Sequence, residues 1–162
     1  MKKTDKRNMA IIIWGIATLV CTIIIFCMSH KPAEESAEMS GLIVKWLLAH
    51  GIGVELAETL DLIVRKCAHM AEFGGLAFCA SFLFIYIKGS AGVKVRLWAA
   101  LFAFLYAVSD EIHQLFIEGR AGKVSDVIID SVGIAVAFII VTLLKKYCFT
   151  SIYSKKSVEN GL

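Results

Sequence analysis

The sequence predicts an all-α fold, a small polytopic membrane bundle of four transmembrane helices with short amphipathic helices in the outer loop. Three observations lead there. The chain of 162 residues is 58% hydrophobic and 19% charged, with a mean hydropathy of +0.74, whereas soluble domains are about half apolar and about a quarter charged. Four runs, residues 10–28, 68–87, 97–117 and 127–144, approach the roughly 20 mostly apolar residues that a spanning helix needs. Four such runs leave no soluble remainder large enough to enclose them, so the whole chain, 1–162, reads as one membrane domain.

Residues 10–28 carry no charge over nineteen positions and follow the basic cluster Lys2, Lys3, Lys6 and Arg7. The run is longer than the about 7–15 apolar residues of a signal peptide, and no small-x-small cleavage site follows it, so it reads as a retained anchor. In the outer loop, HKPAEESAEMS reads as a polar, flexible lead-in with Pro32 as a breaker. GLIVKWLLAHGIG and VELAETLDLIVRK then show helical spacing of apolar residues, with Gly51 and Gly53 between them. Residues 41–66 are too interrupted to span and predict amphipathic helices on the outer membrane surface, a re-entrant piece being the alternative. The second span contains His69 and Glu72, the third carries SDEIHQ towards its end after twelve uncharged residues, and the fourth has Asp130 near its start. Residues 145–162 read as a basic cytoplasmic tail. Trp14, Trp46 and Trp98 suit membrane-interface positions, and Phe102, Phe104 and Tyr106 suit bundle packing. Cys21, Cys27, Cys67, Cys79 and Cys148 form no C-x-x-C pair; four lie in or beside apolar runs as small hydrophobes, which predicts neither disulfide nor redox role.

Orientation follows from lysine and arginine, which are enriched in cytoplasmic loops. With the N-terminus inside, the inner segments hold eleven basic residues: Lys2, Lys3, Lys6, Arg7, Lys88, Lys94, Arg96, Lys145, Lys146, Lys155 and Lys156. The outer ones hold six: Lys31, Lys45, Arg65, Lys66, Arg120 and Lys123. Both termini are therefore expected in the cytoplasm. The net charge of +3 reflects this topology and gives no reason to expect nucleic acid.

With that topology the polar residues collect at one level. Arg65, His69 and Glu72 share a face at the start of the second span. Asp110 and Gln114, and Glu111 and Gln114, are neighbours at the end of the third, and Asp126 and Asp130 lie one turn apart at the start of the fourth. IEGRAGKVSD connects the last two, with Gly119 and Gly122 flanking Arg120. A charge at mid-bilayer costs about 2.5–3.5 kcal/mol on insertion scales. Glu72, Asp110 and Asp130 should therefore face inward, paired with Arg65, Arg120, His69 or water. Any one of these groups alone could be a helix staple, and Asp126 beside Ser125 an N-cap. A set of five carboxylates with histidine, glutamine and several cations is more than a staple needs. His50 stands alone in a surface segment, and His113 lies off the Asp110–Gln114 face.

RKCAHMAEF followed by SDEIHQLFIEGRAGKVSDVIID resembles the VanZ-like family, small membrane proteins whose founding member is linked to teicoplanin resistance. Arg65, Lys66, His69 and Glu72 match its first segment. Ser109, Asp110, Glu111 and Gln114 match the second, and Gly119, Arg120, Gly122, Asp126 and Asp130 the third. The resemblance covers about residues 60–140. It implies a multi-pass protein of the cell membrane in a Gram-positive-type bacterium, acting on a glycopeptide's access to lipid-anchored cell-wall precursors. The family name is an association with antibiotic resistance and not a mechanism.

Two functions are compatible with these residues. In the first, Arg65, His69, Glu72, Asp110, Glu111, Gln114, Arg120, Asp126 and Asp130 form an outward-facing polar pocket. That pocket binds or shields a lipid-linked cell-wall precursor or a lipoglycopeptide, with no resident cofactor. Arg120 on its glycine-flanked turn would hold an anionic headgroup, the glycines leaving backbone donors accessible. In the second, the five carboxylates hold Mg²⁺ or Mn²⁺ and His69 acts as base in an enzyme on a lipid phosphate. No known catalytic motif is matched, which puts the enzyme second. A transporter comes third, because four helices without an internal repeat make a thin channel wall.

Overall fold

The structure, a computed structural model, describes residues 3–148. They form five helices: α1 Lys3–Ser29, α2 Ala33–Ala49, α3 Val54–Lys88, α4 Val93–Gln114 and α5 Val124–Cys148, with no strand among the described residues. Residues 149–162, most of the expected basic tail, lie outside them.

Three helices are long and apolar enough to cross a membrane: Thr4–Ser29, Val54–Lys88 and Val124–Lys145. The expected third span is helical as α4 but does not reach that standard. Arg96 and Asp110 bracket thirteen uncharged residues, about 20 Å of helix against a hydrocarbon core of about 30 Å. It also ends at Gln114 and not at 117. Beyond it the chain tightens into three-residue turns, Leu115 N–H to Ile112 O, Phe116 N–H to His113 O and Ile117 N–H to Gln114 O.

The outer loop needs two corrections. HKPAEESAEMS is not a flexible lead-in: Pro32, with φ −54°, immediately precedes α2, and Glu34 and Glu35 lie in its first turn. Proline fits a helix start and acidic residues suit its positive end. Nor is VELAETLDLIVRK a separate surface helix. No glycine or proline occurs between Val54 and Phe73, so the helix that begins at Val54 runs unbroken into the second span. The resulting 35 residues of α3 measure about 52 Å, too long for the bilayer alone. The break before it is real. Gly51 takes φ +82°, its N–H bonds to Leu48 O and the Ile52 N–H bonds to Leu47 O, the pairing of a Schellman cap.

α3 is the axis of the bundle and packs on each of the other helices. Phe73, Leu76 and Ala77 meet Ile25 of α1, Ala103 and Ala107 of α4, and Ile134 and Ala137 of α5 in one buried cluster. In lipid, close approach of small residues drives such packing more than the hydrophobic effect does. Ala99, Ala103 and Ala107 are fully buried along one stripe of α4. Gly74 and Gly133 let α3 and α5 cross with backbones nearly touching: a Cβ on Gly74 would stand 3.1 Å from the Gly133 carbonyl oxygen, and one on Gly133 would overlap the Met70 carbonyl. Tyr106 Oη of α4 donates to Thr22 O of α1 at 2.7 Å. Trp14 packs between α1 and α3, its ring stacked on Phe82 at 4.7 Å. Ile12, Ile16, Leu19, Leu105, Ile128 and Leu143 are each more than half exposed, an outer surface suited to lipid. Cys21, Cys27, Cys67 and Cys79 are free thiols.

Candidate functional site

The nine residues singled out from the sequence stand at one end of the bundle, where α4 finishes, α5 starts and α3 passes on its way out. α3 supplies Arg65, His69 and Glu72, and the last turns of α4 supply Asp110, Glu111 and Gln114. The connector 115–123 supplies Arg120, and the first turns of α5 supply Asp126 and Asp130. Helix periodicity aims each set at the others, since i, i+4 and i+7 share a face.

The contacts differ from the expected ion pairs. Glu72, Asp110 and Asp130 do not pair with Arg65, Arg120 or His69. Gln114 Nε2 donates to Asp110 Oδ2 at 3.0 Å and to Glu111 Oε1 at 3.4 Å, and the Lys123 backbone N–H donates to Glu111 Oε2 at 2.8 Å. Adjacent carboxylates about 100° apart on α4 are thus gathered by one amide and one main-chain donor, and Asp110, Glu111 and Gln114 are all buried. Asp126 pairs with Lys66 at 3.0 Å and also accepts from Ser125 Oγ at 3.3 Å.

Arg120 turns away from the carboxylates. Its Nε donates to Lys31 O at 2.8 Å and its Nη2 to Met28 O at 3.2 Å, while Ala33 N–H donates to Glu118 O at 3.2 Å. The connector is thereby fastened to the corner between α1 and α2. Burial lowers the Arg120 pKa from its ordinary value and the nearby Arg65 lowers it further, against Asp110 and Glu111; a guanidinium stays charged regardless. The flanking glycines also serve close packing. Gly119 takes φ +71° and a Cβ there would lie 3.1 Å from Ala33 Cβ, while one on Gly122 would overlap the Glu111 carbonyl.

Between these elements lies a cavity of about 470 Å³, lined by Arg65, Lys66, His69, Gln114, Arg120, Lys123, Asp126 and Asp130 with small and apolar residues such as Ala33, Leu62 and Ile129. Glu72, Asp110 and Glu111 do not line it. All four of Glu111, Asp110, Asp126 and Glu72 lie within electrostatic reach of Asp130, and Asp110, Arg120, Asp126 and Arg65 within reach of His69. Asp130 is 1% exposed and neither carboxylate oxygen has a hydrogen-bond partner; the buried His69 Nδ1 has none either. An unsatisfied buried polar group costs about 1–3 kcal/mol, more when charged, so such an arrangement calls for an explanation. Among the described residues, no three His, Cys, Asp or Glu side chains are gathered closely enough to grip a metal ion.

Two cations of the cavity were missed as site residues. Lys66 lies three positions before His69 on the same face, which was the available signal; Lys123 had none beyond its place in the connector. A third feature was also missed. His30 Nδ1 and His113 Nε2 are 3.2 Å apart, and Phe26 stacks on both rings at 5.7 and 5.0 Å, joining the ends of α1 and α4. His50 bonds to the Trp46 carbonyl at 2.8 Å, well outside the cavity.

Neither a curated protein nor a solved structure matches the chain. The family model VanZ/LLP1 matches residues 14–145, a stretch that takes in α3, α4, the connector and every residue lining the cavity. With three helices fit to cross a membrane and this match over most of its length, the chain is a multi-pass membrane protein that belongs to the VanZ/LLP1 family.

Proposed function

We propose that this VanZ-like protein resides in the cell membrane with its polar cavity facing outward, and that the cavity binds or shields a lipid-linked or extracellular ligand through a phosphate. The consequence is altered access of a teicoplanin-type glycopeptide to lipid-anchored cell-wall precursors. The observation that carries the reading is the cavity itself, with four cations on its wall and a partnerless carboxylate, Asp130, buried beside them. Lys66 is engaged by Asp126 and Arg120 by two carbonyls. Arg65 and Lys123 form an ion pair with no described carboxylate, which leaves them to hold phosphate oxygens. His69 and Asp130 would meet hydroxyl or amine groups behind that phosphate.

α4 completes a fourth crossing in this reading. Its start is tied to the end of α5 by the Arg96–Thr142 bond and its end to the connector before α5 by the Glu111–Lys123 bond, so it lies alongside a helix that crosses. The excess of basic residues on the α3–α4 side supports cytoplasmic termini.

The test is binding of a polyprenyl phosphate and of the matching polyprenol to the purified protein in detergent. The phosphate is expected to bind at least about tenfold more tightly, the worth of one or two charge-assisted contacts, and the Arg65→Gln, Lys123→Gln pair to abolish the difference. Equal binding of the two compounds would overturn the reading. The alternative is a metal-dependent enzyme on a lipid or lipid-linked phosphate, favoured by the orphaned oxygens of Asp130, which a divalent cation would satisfy. Metal analysis of the purified protein, with a phosphate-release assay on wild type and Glu72→Gln, decides between them.

A further inference from the structure

At the opposite end of the bundle, around the turn between α3 and α4, stand three more cations, and only one of them is used inside the fold. Arg96 is 5% exposed, donates to Thr142 Oγ1 and lies over the Phe138 ring at 5.2 Å. Lys88 and Lys94 instead border a shallow cavity of about 510 Å³ with Phe84, Val95 and Trp98. Lys94 and Trp98 also border a neighbouring one of about 260 Å³ with Leu97 and Leu101.

Lys94, Trp98 and Leu101 follow one another at i, i+4 and i+7, hence along one stripe of α4. From the helix end inward the stripe offers an ammonium, an indole that is 64% exposed, and then aliphatic surface. That is the order of a phospholipid from headgroup through interface to acyl chain, and tryptophan favours the interfacial level. The charge is one-sided: no carboxylate occurs in the sequence between Glu72 and Asp110, so neither lysine has an acidic neighbour on the turn or on the adjoining halves of α3 and α4.

We propose that this groove is a specific site for one anionic glycerophospholipid. Its phosphate lies between Lys88 and Lys94, its glycerol region against Trp98, and an acyl chain along Leu97 and Leu101. The site is independent of the polar cavity at the other end, and basic pockets between spanning helices are suited to such headgroups. The occupant is a lipid because, apart from the two ammonium groups, the lining is apolar and open to the bilayer. It is anionic because neither lysine forms an ion pair with a described carboxylate.

The test uses Trp98 as its own reporter. In vesicles of phosphatidylcholine, a Trp14→Phe, Trp46→Phe protein is quenched by added brominated phosphatidylglycerol or brominated phosphatidylcholine. Each lysine near an anionic headgroup is worth about fivefold in affinity. Half-maximal quenching by the phosphatidylglycerol is therefore expected at about a 25-fold lower mole fraction, and Lys88→Gln, Lys94→Gln should make the two lipids equivalent. Identical profiles with both lysines present, or a preference that survives their replacement, would overturn the proposal. Should the tryptophan variant not fold, native mass spectrometry of the unaltered protein in detergent reads the same preference, and equal retention of the two lipids sinks it.

Discussion

Asp130 and Arg120 border the same cavity and are expected to fail in opposite ways when replaced. Asp130 is buried with no donor to either oxygen, so Asp130→Asn removes a desolvated acid without breaking a bond. The variant should melt in detergent at the same temperature as wild type or higher, and lose ligand binding or the shift in glycopeptide susceptibility. A lower melting temperature would make Asp130 a staple. Arg120 bonds two carbonyls at the α1–α2 corner, and a lysine cannot reproduce that fork. Arg120→Lys should destabilise by about 1–3 kcal/mol, seen as a lower melting temperature whatever its effect on binding. Asp110→Asn belongs with Asp130. Removing one partner of a buried ion pair costs about 3–5 kcal/mol, but Asp110 is met by the Gln114 amide and not by a cation. An asparagine oxygen can still accept that bond. Stable, inactive protein is expected for Asp110→Asn and for Glu72→Gln, measured by thermal stability beside a cell assay; unstable protein, or stable protein with full activity, counts against the site.

Between elements, the α3–α5 crossing is the contact with least tolerance. Gly133→Ala would drive its Cβ into the Met70 carbonyl, and overpacking of this kind costs about 1–3 kcal/mol. Gly75→Ala is the control: nothing lies within 4 Å of its Cβ, and alanine in a helix interior is favoured over glycine by about 0.5–1 kcal/mol. Melting temperatures should fall for the first and hold or rise for the second; equal behaviour would mean the helices do not cross so closely. The helices themselves were legible because uncharged runs of such length have few other uses. The meeting of Arg65–Glu72, Asp110–Gln114 and Asp126–Asp130 was legible because charged stripes cannot face lipid. What could not be read was the first half of α2, since AEESAE is polar enough for a linker and equally a good helix start after proline. The bond from Arg120 to Lys31 O joins residues 89 apart in the chain, and no periodicity reports which carbonyl a connector will reach. α4 is helical as expected, but its thirteen-residue uncharged centre is shorter than the other apolar runs.

At the scale of the whole molecule, orientation decides what the cavity can meet. The cavity and α2 stand at one end of the bundle, and the α3–α4 turn at the other. In the orientation proposed from the eleven-to-six division of basic residues, the α3–α4 turn is cytoplasmic. A single cysteine at Ser36 on α2, in a background lacking the native cysteines, should then react in intact cells with a reagent that cannot cross the membrane. One at Gly92, in the α3–α4 turn, should react only after permeabilisation. The pair also tests α3. Ser36 follows α1, and Gly92 is separated from it by α3 alone, so opposite labelling requires α3 to cross. A third cysteine at Ala121, in the connector after α4, should label like Ser36 if α4 crosses and like Gly92 if it does not. Labelling of Gly92 from outside with Ser36 protected would invert the molecule, place the cavity in the cytoplasm and remove any route from it to an extracellular glycopeptide.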